Sequence, residues 1–295
     1  MAQRIKVMTS DLETLGQLTR VYSEVAAKRM REVRAGVLES RDFLTGVREI
    51  FNEVNASYRR EIFKIAKGRG PSASLRTGAE KLTFLSHNGK TAAVFLSANT
   101  GLYGDIIKRI FEAFVAEAKT ANSEMTIIGR LGRSMYLSSA IDRPYTYFGL
   151  PDWQTTASDL RAIIDHLVQY EEIHLYHGRF DSIVRQTPNK YVIAAGSEVG
   201  EGETGVKYLF EPSLEEIMVV FEKQIFAAML DQVVRESQLA KFASRMLSMD
   251  QAGERIKKRL AELEVEKQRA QRQQENRKQQ EQVTGIFARR VAAAR

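Results

Sequence analysis

Cysteine is absent from the 295-residue chain. Disulfides, thiol nucleophiles and thiolate metal sites are thereby excluded together. There are only five prolines, and none precedes Pro71 or follows Pro212, so nothing in the side-chain chemistry interrupts a helix at either end. No apolar run approaches the length of a bilayer span, and the N-terminus lacks the charged, apolar and cleavage-site order of a secretory leader. The expectation is a soluble, unprocessed, cytosolic protein without direct lipid insertion. What is present is 43% hydrophobic residues, enough to bury a core, and no internal repeat is evident.

The formal charge of +7 is unevenly placed. Residues 1–67 carry 13 Lys/Arg against 9 Asp/Glu, and residues 251–295 carry 12 against 6, which leaves the intervening body at −3. Basic ends suit nucleic acid, an anionic membrane surface or an acidic protein surface.

The first segment places Ile5, Met8, Leu12, Leu15, Leu18, Tyr22 and Val25 three and four residues apart, and the spacing resumes at Leu44, Val47, Phe51, Val54, Tyr58, Ile62 and Ile65. This predicts one helix of about sixty residues, roughly 90 Å long. A compact domain does not need such a helix, so it requires a partner. At the other end, Pro212 and Ser213 in "FEPSLEE" mark a helix start with Glu215 and Glu216 in its first turn. The seam Leu239, Phe242, Met246, Met249, Ala252, Ile256, Leu260 and Leu263 then runs through three heptads, as a coiled coil does. Two long terminal helices most simply lie antiparallel, with Leu239, Phe242, Met246 and Met249 packing around Leu18 to Val25.

Between them "TAAVFLSA", "MTIIG", "EIHLYH" and "YVIAA" are short strand-like runs, with helical candidates at 105–119 and 156–170. The alternation predicts an α/β layer with a mostly parallel sheet. "GRGPSASLRTGAE" and "GSEVGEGETGV" have the composition of connectors. The fold class is therefore α/β plus a long coiled coil, with antiparallel terminal helices flanking a central Rossmann-like domain. Its predicted divisions are a first shaft helix at 1–67, a central domain at 68–211 and a second shaft helix at 212–295.

"VFLSANTGLYGD" opens like a nucleotide-binding strand-to-helix turn, but it carries only Gly101 and Gly104, no lysine, and an acid, Asp105, where a phosphate would approach. It reads as a structural turn, with Asp105 placed to favour the helix dipole. His174 and His177 have metal-pair spacing, but a separation of three in a strand sends them to opposite faces. Trp153, beside Pro151 and Asp152, reads as a loop anchor. No Ser/His/Asp set or paired carboxylate stands out, so neither a metal nor a cofactor is expected.

Several stretches, taken together, resemble the γ subunit of F-type rotary ATP synthases. "RIKVMTSDLETLGQLTRVYSEVAAKRMR" is similar to that family's N-terminal shaft helix, with "VAAKRMR" at its "VAASKMR". "LSANTGLYGD" resembles its "SSDRGLCGG" turn, "RFDSIVRQTP" its "FVNTMVQTP", "YLFEPSLEEI" its "YEPSPEEV" and "SRMLSM" its "ARMVAM". The matches fall in the family's order and span nearly the whole chain.

The resemblance implies a non-catalytic rotor whose coiled coil turns inside a hexameric ring of catalytic ATPase subunits. It also implies an α/β foot that meets an ε-like subunit and a membrane c-type ring. It places the protein at the cytoplasmic face of the inner membrane as a peripheral subunit. Ring-facing residues would be Arg20, Glu24, Lys28, Arg29, Arg31, Arg245, Lys257, Lys258 and Thr284. Foot-loop residues would be Glu198, Glu201 and Glu203. Three positions depart from the family pattern: Glu24 stands where Met is usual, Lys241 where Glu is usual, and Gly285 where an acid is usual. The first two would be a compensating pair or unrelated changes.

Two other classes fit parts of the sequence. One is a basic coiled-coil scaffold or nucleic-acid-binding protein, which would bind DNA or RNA in a salt-sensitive way. The other is a nucleotide-binding enzyme built on the α/β body. Neither accounts for a central α/β body with matched helices at both termini.

Overall fold

The computed structural model describes residues 2–58, 61, 81–82, 85–194, 197–198, 210–211 and 213–293. Helix α1 is Ala2–Ser57. Then follow β1 (Lys81–Leu82), β2 (Thr91–Leu96), α2 (Ile106–Thr120), β3 (Glu124–Ile128), α3 (Arg130–Leu137), β4 (Tyr145–Phe148) and α4 (Ala157–Leu167). The chain continues through β5 (Glu172–Phe180), β6 (Gln186–Ala194) and β7 (Ser197–Glu198) to α5 (Leu214–Ala293). Long terminal helices around a central sheet match the expected fold class. Ile62 and Ile65 lie outside the described residues. The short β1 and β7 pair antiparallel, Lys81 opposite Glu198.

By compactness the chain divides into residues 1–25 with 246–295, and residues 26–245. The stretches 26–57 of α1 and 214–245 of α5 therefore belong with the α/β layer rather than with the outer parts of their helices.

In the larger unit the sheet has the order β4-β3-β2-β5-β6. The first four strands are parallel and β6 returns antiparallel to β5. Strand β2 is a continuous apolar run because helices cover it on both faces, as a central parallel strand requires. Ala93, Phe95, Met125, Ile127 and Tyr176 face α2, which contributes Ile106, Ile107, Ile110, Phe114 and Ala118 at helical spacing. Leu239 and Phe242 of α5 and Val33 of α1 complete that cluster. The other face sets Val94, Leu96, Ile173 and Leu175 against Leu160, Ile163 and Leu167 of α4 and Phe226, Leu230 and Val233 of α5. Helix α4 begins at a capping box in which Thr156 and Asp159 satisfy each other's backbone N–H.

The two long helices also pack on each other within this unit. Leu44, Phe51 and Val54 meet Met218, Ile225 and Ala228, Phe51 lies edge-on to Phe221 at 6.1 Å, and Ser40 Oγ donates to Asp231 Oδ2 at 2.8 Å. Rising numbers on α1 meet falling numbers on α5, so the pair is antiparallel.

In the smaller unit the same sense is kept. Ser23 Oγ donates to Asp250 Oδ1 at 2.7 Å. A Cβ added to Gly253 would lie 3.6 Å from Thr19 Oγ1, and one on Gly16 would lie 3.5 Å from Ile256.

Burial along α1 corrects the expected seam. A continuous row of less exposed positions runs through Ile5, Thr9, Leu12, Gly16, Thr19 and Ser23, then Ala26, Met30, Val33, Val37, Ser40, Leu44, Val47, Phe51 and Val54, with Met8 of the expected seam also partly covered beside it. The row steps by four and three without a break. Leu15, Leu18, Tyr22 and Val25 are instead exposed, Leu18 by 48% and Val25 by 38%. Each stands one residue before a seam position, about 100° around the helix at 3.6 residues per turn. Leu239 and Phe242 pack in the sheet's cluster rather than around Leu18 and Val25.

Candidate functional site: the shaft faces and the filled edge of the sheet

The carboxyl ends of parallel strands are where a doubly wound sheet takes a ligand, in the crevice where the strand order reverses. Here that crevice lies between β2 and β5, because β3 and β4 follow on one side of β2 and β5 on the other. Helix α5 fills it. All nine residues from Ser237 to Arg245 are buried, and a Cβ on Gly178 of β5 would come within 3.1 Å of Ala240 Cβ.

The turn after β2 is bonded at almost every residue. Asp152, in the loop after β4, accepts from the backbone N–H of Asn99 at 2.9 Å and of Thr100 at 3.0 Å, and from the Thr100 hydroxyl at 2.9 Å. Asn99 Nδ2 donates to the Leu150 carbonyl at 2.6 Å, and its Oδ1 accepts from the Arg130 N–H at 2.9 Å. From α5, Lys241 Nζ donates to the Ser97 carbonyl at 3.0 Å and sits 3.7 Å from Asp152 Oδ1. Ser244 Oγ donates to the Tyr103 carbonyl at 2.8 Å. Arg245 donates to the Gly101 carbonyl at 2.7 Å and to Thr100 Oγ1 at 3.0 Å, with its guanidinium 3.8 Å from the centre of the Tyr103 ring.

These contacts set the local electrostatics. Burial pushes the Lys241 ammonium below the ordinary lysine range, and Asp152 works against that shift. Burial raises the Tyr103 hydroxyl, opposed by its hydrogen bond to Thr100. The Ser97 and Gly101 carbonyls thus meet cations of their own chain, the Tyr103 carbonyl meets a hydroxyl, and the Asn99 and Thr100 N–H groups are taken by Asp152. Asp105 caps α2 without a side-chain cap bond and lies 4.0 Å from Arg109.

The nearby turn after β3 comes just as close. Gly129 has φ of 100°, and a Cβ there would meet the backbone of Ala98 at 2.9 Å. Glycine is the residue that permits both the conformation and the approach.

The residues expected to face a ring separate into two groups. Arg20 and Glu24 form an exposed pair at 3.8 Å, Lys28, Arg31 and Lys258 are exposed, and Lys257 pairs with Glu254 at 2.7 Å in solvent. Arg29 instead lies over Trp153 at 4.7 Å and near Phe242 at 5.9 Å, and Arg245 is 6% exposed in the turn just described. Met249 is buried and Met246 half-buried. Thr284 lies in α5, with its side chain outside the described residues. Glu198 lies in β7, while Glu201 and Glu203 fall outside the described residues. Glu24 stands 3.8 Å from Arg20, and Lys241 stands 3.7 Å from Asp152.

The histidines are packed groups. His174 lies between Glu117 and Glu172, bonded on both ring nitrogens, and Glu117 also accepts from Tyr176 and Lys190. His177 is fully buried with Nε2 3.1 Å from the Asn189 amide nitrogen, and burial pushes it down to about 4. Among the described residues no group of three His, Cys, Asp or Glu could hold a metal ion, and no helix is long and apolar enough to cross a membrane.

Sequence reading missed the part played by Asp152, Ser244 and Lys241. Asp152 carries no local signal, since its partners are 52 and 53 residues away in the sequence.

Comparison with known proteins agrees with this architecture. The family model described as ATP synthase matches residues 2–279. The ATP synthase gamma chain of Desulforamulus reducens is 24% identical over 282 residues, covering 91% of this chain and 92% of that one. That of Pelotomaculum thermopropionicum is 23% identical over 286 residues, covering 94% and 95%. Among solved structures, a chain of the Euglena gracilis mitochondrial ATP synthase, OSCP/F1/c-ring, shares the fold with a TM-score of 0.55 at 12% identity, covering 89% of this chain and 95% of that one. A chain of the Tetrahymena thermophila mitochondrial ATP synthase central stalk and c-ring gives 0.51 at 16% identity, covering 80% and 99%. With paired terminal helices, a helix-filled sheet edge and a family match along nearly its whole length, this chain belongs to the ATP synthase family, as a gamma-type central-stalk rotor subunit.

Proposed function

We propose that the chain couples rotation of its paired terminal helices, inside a hexameric ring of catalytic ATPase subunits, to ATP synthesis or hydrolysis, and that it catalyses nothing by itself. The observation that carries the second half is the filling of the sheet's carboxyl edge by Lys241, Ser244 and Arg245 of the chain's own helix. A nucleotide would have to displace a buried helix segment to reach the place where such sheets bind ligands.

The first half rests on the shaft. Leu15, Leu18, Tyr22 and Val25 present an exposed apolar stripe, and Arg20, Lys28, Arg31, Lys257 and Lys258 present exposed charge. These are the surfaces we assign to the enclosing ring. Between Leu263 and Val283 the helix offers only Val265 and Ala270 as apolar residues and gains little from burial against α1, so an enclosing partner suits it. Glu198, Glu201 and Glu203 are assigned to the foot's contact with a membrane c-type ring, beside an ε-like subunit. The protein would then be peripheral, at the cytoplasmic face of the inner membrane.

Isothermal titration of ATP into the purified chain tests the non-catalytic reading, with no micromolar binding and no hydrolysis expected. Tight binding at the 97–105 turn would contradict it.

A further inference from the structure

Nine consecutive buried residues are unusual in a helix whose buried positions elsewhere come singly or in pairs, and they coincide with the helix's polar bonds to the sheet edge. We propose that Lys241 and Asp152 are positioning residues of a torque joint, fixing α5 rotationally against the α/β layer so that the layer turns with the helix. This rests on the rotor reading above.

Apolar contact alone supplies stability but little direction, because the hydrophobic effect is non-directional. Phe242 and Leu239 hold α5 against the layer, and a sideways load can be relieved by repacking. Polar bonds fix position. Lys241 reaches the end of β2 at the Ser97 carbonyl and the Asp152 carboxylate together, while the same carboxylate holds the Asn99 and Thr100 amides. One turn further along α5, Ser244 and Arg245 grip the carbonyls of Tyr103 and Gly101. Helix, turn and the loop after β4 are thereby bonded into one body.

Stability alone does not explain a buried Lys–Asp pair. Burying two charges costs about what their attraction returns, and apolar replacements are often neutral. A pair retained at that expense is suited to specifying geometry, here the rotational setting of α5.

The test uses the complex purified through this chain, assayed both for ATP hydrolysis and for ATP-driven ion uptake by membrane vesicles. In Lys241→Met, hydrolysis per assembled complex and its KM should stay near the unmodified values while ion uptake per ATP falls several-fold. Lys241→Arg, which keeps the cation, should restore part of that ratio. Asp152→Asn should repeat the Lys241→Met result, and it carries the test if Lys241→Met does not assemble. Unchanged uptake per ATP, or a parallel loss of hydrolysis and uptake, would overturn the joint. If no ATPase ring accompanies the unmodified chain, the rotor reading and the joint fall together. If the ring is present and couples equally well with Lys241→Met, only the joint falls.

Discussion

Ser23 Oγ donates to Asp250 Oδ1 at 2.7 Å, joining two positions 227 residues apart in sequence. The bond belongs to a seam made largely of small and polar residues, with Gly16, Thr19 and Ser23 on α1 and Gly253 on α5. A Cβ at Gly16 would make ordinary contact with Ile256 at 3.5 Å. Gly16→Ala should therefore be neutral or stabilise by up to about 1 kcal/mol through helix propensity. Gly16→Leu should cost about 1–3 kcal/mol by overpacking. Leu18→Ser, on the exposed stripe, should change the stability of the isolated chain by less than about 0.5 kcal/mol. Urea denaturation of the three variants measures the difference, and equal costs at Gly16→Leu and Leu18→Ser would refute the seam.

Phe242 is fully buried beside Tyr103 and Leu239. Phe242→Asp should destabilise by at least about 3 kcal/mol, combining a lost aromatic side chain with a buried charge that has no partner. A thermal midpoint equal to that of the unmodified protein would show that α5 does not pack on the sheet here.

Charge on the shaft should behave in two ways. Arg245→Ala should cost the isolated chain about 1–3 kcal/mol, because a buried guanidinium's bonds to the Gly101 carbonyl and Thr100 and its packing on the Tyr103 ring are lost together, and the cost should vary little with salt. Reversing Lys257 and Lys258, both exposed, should leave the isolated chain's stability within about 0.5 kcal/mol of its starting value. In the assembled complex the same reversal should lower ATPase activity, with a defect that changes with ionic strength. Full activity of that variant at low salt would return these lysines to the role of solvated helix charge.

His177 gives stability a pH dependence of known sign. Its pKa lies at about 4 in the folded chain because burial disfavours the charged ring, against about 6.5 when unfolded. The unfolded chain therefore binds the extra proton between those values, and stability falls as pH drops from about 6.5 towards 4. His177→Gln should remove on the order of 2 kcal/mol of the decline between pH 7 and 4.5. Urea unfolding at both pH values checks this. Identical pH slopes in the two proteins would mean that His177 is free to protonate in place.

The terminal helices and most of the sheet were legible because heptad spacing and fully apolar strands leave strong patterns in sequence. The register of α1 was not. Its hydrophobic residues at Leu15, Leu18, Tyr22 and Val25 keep helical spacing one residue ahead of the true seam, so periodicity identifies the helix but picks the outward face. Strand β4 was missed because "YTYF" is a four-residue edge strand without full burial, and α3 because it has only eight residues. The roles of Lys241 and Arg245 were hidden because their partners at 97–101 and 152 are brought near only by the fold.

The most direct test of the rotor assignment is subunit stoichiometry in the native complex purified through this chain, measured by mass spectrometry of the intact assembly. The account predicts a single copy of the chain with a hexameric ring of ATPase subunits that hydrolyses ATP, while the chain stripped from the ring does not. A chain recovered alone, or one that hydrolyses ATP after the ring is removed, would contradict it.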